Sequence, residues 1–159
     1  MILCGESIIE RRLISPAYER SQSCGMTFGV GPAGYDVRID KTVILRPGDF
    51  ALAATMERFD MDDDILGVVH DKSTWARRGL AIQNTVIEPG WRGFLTIELS
   101  NHGGTMLSIE QGCPIAQIIF HVLDHPTSRP YAGRYQDQPP GAQPAKLLAE
   151  DDAVLISCN

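Results

Sequence analysis

Between Tyr35 and Leu123, apolar and polar residues alternate in short runs, and most runs stop at a proline, glycine or polar turn. Tyr35-Asp36-Val37-Arg38-Ile39 has a period of two, the pattern of a half-buried strand. Thr42 to Leu45 ends at Arg46-Pro47-Gly48-Asp49, and Phe50 to Thr55 ends in a polar stretch. Ile65 to His70 leads into a cationic turn, and Phe94 to Leu99 ends at Asn101-His102-Gly103-Gly104. Met106 to Ile109 ends at Gln111-Gly112, and Ile115 to Leu123 is the last long apolar run. Short strands punctuated in this way predict an all-β sandwich or barrel. Helix is expected at Ser7 to Leu13, where Ser7 and Glu10 have capping-box spacing, and in a turn near Ser73 to Arg78. Residues 15–34, rich in Ser, Gly and Pro, predict an irregular arm.

From Asp124 the character changes. Pro126, Pro130, Pro139, Pro140 and Pro144 leave no helix or strand periodicity, yet Arg129, Tyr131, Arg134, Tyr135, Gln136 and Gln138 are interspersed. The composition fits a disordered tail. It also fits an arm folded over a ligand, with groups for base stacking, phosphate pairing and hydrogen bonding. Ala153 to Ser157 has the pattern of one more edge strand.

The 159 residues suffice for a single domain with a real core. The expected layout is an N-terminal helix and arm over 1–34, a β-barrel core over 35–123 and a C-terminal arm or lid over 124–159. No apolar run is long enough to span a membrane, and the start lacks a signal-peptide h-region, so a cytoplasmic location is the default expectation. The formal net charge of −6 argues against non-specific nucleic-acid binding. An anionic small ligand then needs a local cationic cluster. Cys4, Cys24, Cys113 and Cys158 lack C-x-x-C spacing, and the four histidines form no H-E-x-x-H. The zinc nucleobase deaminase signature is absent too, so no zinc is expected and the cysteines read as free, mostly buried thiols.

The cationic turn is Asp71-Lys72-Ser73-Thr74-Trp75-Ala76-Arg77-Arg78. Lys72 supplies a mobile point charge, Ser73 and Thr74 supply hydroxyls, and Arg77 can make a bidentate pair with an oxyanion or carbonyl. The spacing is not that of a Walker A loop, and an exposed polar turn without function is the plainer alternative. In Phe94-Leu95-Thr96-Ile97-Glu98-Leu99, period two places Phe94, Thr96 and Glu98 on one face and the three aliphatic residues on the other. Glu98 thus becomes a candidate proton shuttle whose pKa is raised by desolvation, with a solvated surface carboxylate as the alternative. Glu88-Pro89-Gly90-Trp91 predicts a tight turn, with Glu88 a candidate for a sugar hydroxyl or a purely structural residue.

Taken together, Gly34-Tyr35-Asp36-Val37-Arg38, Lys72 to Leu80, Glu88 to Gly93, Leu95 to Leu99, Gly112 to Gln117 and Tyr131 to Gln136 resemble the dCTP deaminase branch of the dUTPase-like superfamily. The resemblance implies a distorted β-barrel or jelly-roll, assembled as a homotrimer with active sites between subunits. It implies zinc-free hydrolysis of dCTP to dUTP and ammonia, with Mg2+ carried by the triphosphate. Carried over by motif, Glu98 is the proton shuttle, Ser73 helps to hold the attacking water, and Arg77 orients or polarises the reacting centre. Lys72, Ser73 and Thr74 would bind phosphates, and Glu88 would meet the deoxyribose. Tyr131, Arg134 and Gln138 would close over the nucleotide, and Thr96 joins the substrate-binding set. The segment Ala81 to Ile87 is shorter than in many deaminases of that family, where it takes part in feedback by dTTP. Glu88 stands where aspartate is more usual. The rivals are a dUTP diphosphatase, a bifunctional enzyme acting on dCTP and dUTP, and a non-catalytic nucleotide-binding regulator.

Overall fold

The computed structural model describes residues 1–147. The alternating runs become strands of two main sheets. One has six strands in the order β2 (Ser21–Ser23), β3 (Met26–Val30), β4 (Tyr35–Arg38), β12 (Pro114–Val122), β7 (Ile65–Asp71) and β9 (Val86–Ile87). The other has four, in the order β1 (Ile14–Ser15), β6 (Phe50–Asp60), β10 (Arg92–Asn101) and β8 (Leu80–Ile82). A separate pair joins β11 (Leu107–Ile109) to β5 (Val43–Leu45). The sheets enclose one apolar core, in which Tyr35, Val37, Ile118 and Phe120 from the first meet Phe59, Ile97 and Leu99 from the second. Because side chains alternate across a strand, the period-two runs deliver one face to this core.

Three sequence expectations need correction. Residues 15–34 are not an irregular arm: β2 and β3 form an antiparallel hairpin, and β3 pairs Gly29 and Val30 with β4. Gly, Ser and Thr disguise these strands because the hairpin lies at the sheet's end, where little apolar surface is needed. The N-terminal helix α1 (Gly5–Glu10) starts before Ser7, with Cys4 as its N-cap residue, so Ser7 and Glu10 do not form the expected capping box. The Ser7 hydroxyl instead lies 3.3 Å from the Cys4 sulfur. Finally, Cys24 and Cys113 are not free thiols: they are joined as a disulfide across 89 residues of sequence. Their partnership depends on the hairpin meeting the start of β12, which spacing does not encode. Cys4 is free and exposed.

Strand β6 continues through Met56-Glu57-Arg58, a stretch whose polarity suggested an end. Glu57 is fully buried there and accepts hydrogen bonds from the Arg38 backbone N–H at 2.9 Å and from its Nε at 2.8 Å. Desolvation pushes its carboxyl above the usual range, opposed by Arg38. The Arg38 guanidinium lies 4.5 Å from the ring centroids of both Tyr18 and Phe28. This group ties the N-terminal arm to the barrel.

Candidate active site

Strand β10 positions the central groups. Leu95, Ile97 and Leu99 are buried in the core, whereas Phe94, Thr96 and Glu98 are half-buried on the opposite face. On that second face, Thr96 and Glu98 line a cavity of about 530 Å³. Its wall includes Leu52 on β6, Thr85 to Glu88, Trp91, Thr96, Glu98, Tyr131, Tyr135, Gln138 and Gln143. Leu52 is the register partner of Glu98, so the carboxyl emerges beside an aliphatic neighbour. Its Oε2 is buried without a hydrogen-bond partner among the described residues. Burial therefore raises the Glu98 pKa.

The C-terminal arm covers this cavity. Residues 124–147 contain no strand or helix, but a network of hydrogen bonds holds them to the Glu88–Gly93 turn. The Tyr131 N–H donates to the Pro89 carbonyl at 2.8 Å, and the Trp91 indole donates to the Tyr135 carbonyl at 2.7 Å. The Gln136 amide donates to the Gly90 carbonyl at 2.8 Å and accepts from the Arg92 N–H at 3.0 Å. Asp137 pairs with the Arg92 guanidinium at 3.1 Å. Gln138 is buried, its carbonyl accepts from the Phe94 N–H at 3.0 Å, and its side-chain amide donates to the Thr96 hydroxyl. Gly93 makes this approach possible: a Cβ there would lie 2.5 Å from the Gln138 nitrogen, and its φ of 140° is disfavoured for other residues. The expected edge strand Ala153 to Ser157 lies outside the described residues.

The cationic turn becomes α2 (Ser73–Ala76), with Lys72 as its N-cap residue. Ser73, Thr74 and Arg77 are exposed. Lys72 is not a mobile charge: it is 8% exposed, and its Nζ lies 2.6 Å from Asp36 Oδ2 on β4. Asp71 braces the other side of the turn, accepting the Ile82 N–H at 2.8 Å. The Trp75 indole donates to the Pro114 carbonyl at 2.8 Å.

Thus one chain brings together Glu88, Thr96, Glu98, Tyr131 and Gln138, but none of Lys72, Ser73, Thr74 or Arg77 lines that cavity. Thr74 lies instead on a second cavity of about 380 Å³, beside Trp75, Arg78 and the disulfide. The Arg134 side chain is exposed and lines neither cavity; its carbonyl accepts from Lys146 Nζ at 3.0 Å. Sequence reasoning missed Gln143, whose N–H donates to the Thr96 hydroxyl at 3.0 Å. It sits in Pro140-Gly141-Ala142-Gln143-Pro144, where no periodicity marks a facing residue. Asp36 was likewise legible only as a strand residue.

Curled β-sheets around one core, with an acid-bearing strand under a folded-back arm, define a protein of the dUTPase fold. The EIAV dUTPase superposes with a TM-score of 0.55 at 20% identity, over 77% of this chain and 92% of that one. A variant dUTPase from phage phi11 of S. aureus, whose structure concerns coordination of a structural Mg(II) ion, gives 0.55 at 19% identity over 77% and 95%. Within that fold, the family model described as dCTP deaminase-like matches residues 34–123. A dCTP deaminase from Campylobacter fetus subsp. fetus is 34% identical over 84% of this chain and 89% of its own length. The chain belongs to the dCTP deaminase-like family.

Proposed function

We propose that this protein hydrolyses dCTP to dUTP and ammonia, with Glu98 as the proton-transfer group. The observation that carries this reading is the Glu98 carboxyl, buried on one oxygen, unpartnered there and raised in pKa at the wall of a nucleotide-sized cavity. A carboxyl raised in pKa by desolvation is better suited than an ordinary one to take up a proton and return it. Water adds to cytosine C4 while Glu98 takes a proton and returns it to N3. A second transfer, from the new C4 hydroxyl through Glu98 to the amine, releases ammonia and leaves the C4 carbonyl of uracil. Family membership and the Campylobacter relative's name support the substrate.

The remaining roles are carried over by motif, with placement supporting those whose side chains line the cavity. Glu88, exposed at the rim, faces the deoxyribose, and Tyr131 and Gln138 enclose the nucleotide. Ser73 holds the water, Arg77 polarises the reacting centre, and Ser73 and Thr74 serve the phosphates. Lys72, neutralised by Asp36, contributes by holding that turn in place. Because the turn does not reach the cavity of its own chain, a neighbouring subunit supplies it, in a homotrimer. Phe50 and Val86, apolar rim residues 60% and 49% exposed, suit burial under that neighbour. Arg134, exposed, would close over the phosphates. Mg2+ enters with the triphosphate as part of the substrate. Among the described residues no three His, Cys, Asp or Glu side chains converge as a ligand set. The wall from Thr85 to Ile87 is the surface on which dTTP would compete. A cytoplasmic location belongs to the same reading.

One observation favours a second activity: the exposed Glu88 carboxylate borders the cavity of a dUTPase-fold protein and could activate water toward a phosphate. Incubation with dCTP and with dUTP, followed by chromatography of the products, separates the readings. Ammonia and dUTP support deamination, and pyrophosphate from dUTP supports the diphosphatase. Both products from dCTP indicate a bifunctional enzyme, and no turnover of either nucleotide leaves a binding regulator.

A further inference from the structure

The turn of the β2–β3 hairpin consists of Cys24 and Gly25, both with left-handed backbone, at φ 51° and 69°. Two-residue turns of that shape favour Asn, Asp or Gly at the first position, because a larger side chain is disfavoured there. Cysteine at that point contributes its sulfur, not turn propensity. Cys24 is exposed at the tip, whereas its disulfide partner Cys113 is 3% exposed. The bond therefore has one end that a dissolved reagent can approach.

The same bond lines the second cavity, of about 380 Å³, together with Arg78 and Glu110. Arg78 is exposed and lies over the Trp75 ring, 4.8 Å from its centroid, and Glu110 is exposed just after β11. Neither joins an ion pair among the described residues. A cation and an anion beside an approachable disulfide match a small thiol that itself carries carboxylate and ammonium groups, as a tripeptide of the glutathione type does. A link also runs from this bond to the cationic turn. Cys113 precedes Pro114, whose carbonyl accepts the Trp75 indole N–H at 2.8 Å. Trp75 is the buried residue of α2, the turn that carries Ser73 and Thr74.

We propose that Cys24–Cys113 is a thiol-exchange site, at which a zwitterionic small thiol binds the second cavity, opens the bond and lowers turnover by releasing α2. The attacking thiol gives up its proton, and its sulfur bonds to Cys24 Sγ. The bond between the two cysteines breaks, its electron pair leaves on Cys113 Sγ, and that thiolate takes up the proton. One disulfide is exchanged for another, so no oxidant is consumed. The start of β12 then loses its covalent tie to the hairpin, and the carbonyl that anchors Trp75 loses its fixed position. The effect on turnover, though not the exchange, rests on the deamination reading.

The test uses the full chain with Cys4→Ser and Cys158→Ser, so that only this pair reacts. The oxidised protein is incubated with glutathione or with neutral 2-mercaptoethanol at equal thiolate concentration, quenched with N-ethylmaleimide in denaturant and mapped by mass spectrometry. The expected product carries the thiol on Cys24 and maleimide on Cys113. It is expected to form about tenfold faster with glutathione, within the range of electrostatic steering, and Arg78→Gln removes that advantage. Ammonia release from dCTP, read well below the melting temperature, is expected to fall as the adduct forms. It should return once free glutathione is removed and Cys113 displaces the adduct. Trp75→Phe, which lacks the indole N–H, is expected to start at the lowered rate and to lose little more. A bond left intact by glutathione would overturn the inference, as would an adduct that leaves ammonia release unchanged, the mark of a purely structural disulfide. Equal rates with both thiols in the parent and in Arg78→Gln, or multiplicative losses in Trp75→Phe, would also overturn it. Failure of the oxidised parent to release ammonia from dCTP would instead refute the deamination reading, and adduct formation would still judge the exchange site.

Discussion

Glu98 shows how a single residue's surroundings decide its chemistry. The alternation of Phe94 to Leu99 already separates it from the core-facing Leu95, Ile97 and Leu99. What raises its pKa is the cavity wall, built from residues far away in sequence. Glu98→Gln is expected to lower kcat by about 100-fold or more while nucleotide binding, followed by calorimetry, persists. The same substitution has a stability consequence. A carboxyl raised in the folded state stabilises the fold below its unfolded pKa, and that contribution is lost as pH rises through the folded value. Above that folded value the ionised Glu98 is therefore a cost, and Glu98→Gln is expected to melt there at a higher temperature than wild type. The gap should close below pH 4.5, the ordinary value from which Glu98 is raised. Thermal scans across pH check this, and a gap that widens in acid contradicts it.

At the scale of elements, two contacts carry the site: the arm on the Glu88–Gly93 turn, and Asp36 beneath α2. Gln136→Ala removes the amide that bridges the Gly90 carbonyl and the Arg92 N–H. Losing two hydrogen bonds of about 1 kcal/mol each is expected to raise KM for dCTP roughly tenfold or more, with faster proteolysis between residues 124 and 147. The barrel's melting temperature should hardly move. Asp36→Asn acts on the other element. It leaves the buried Lys72 charge without a counter-ion, at a cost of about 3–5 kcal/mol, and one kcal/mol corresponds to about 2–4 °C in a domain of this size. A melting temperature unchanged by Asp36→Asn would show that this pair does not hold α2. The strands were legible wherever alternation reached the core, as at β4, β7, β10 and β12. The β2–β3 hairpin and the end of β6 were not, because small residues and a buried Glu57–Arg38 pair replace the apolar signal.

For the whole molecule, the question is where the second half of the site comes from. If a neighbouring subunit brings Ser73 and Arg77 to Glu98, two inactive variants should complement each other. Refolding Arg77→Ala with Glu98→Gln as mixed trimers gives roughly a quarter of the sites an intact turn and an intact carboxyl. Recovered ammonia release after mixing is the expected result, and activity that stays at the level of the separate variants contradicts intersubunit sites. The Cys24–Cys113 bond belongs to the same scale, since it spans 89 residues. A closed loop of that length contributes up to about 4–5 kcal/mol, so Cys24→Ser is expected to lower the melting temperature by about 10 °C or more. Dithiothreitol should reproduce that shift in the wild type and leave Cys24→Ser unchanged.

The sequence by itself determined the strand-rich class, the turn near Ser73 to Arg78 and the two faces of Phe94 to Leu99. All three are local: they depend on period, turn chemistry and the side chains present within a few residues. Tertiary structure decided which of those groups share a space. It paired Lys72 with Asp36, joined Cys24 to Cys113, left Arg134 on the surface and set Gln138 and Gln143 on Thr96. Each of these is a contact between residues whose separation along the chain carries no period. Burial and pairing, rather than residue type, then settle whether a side chain is a free charge or a brace.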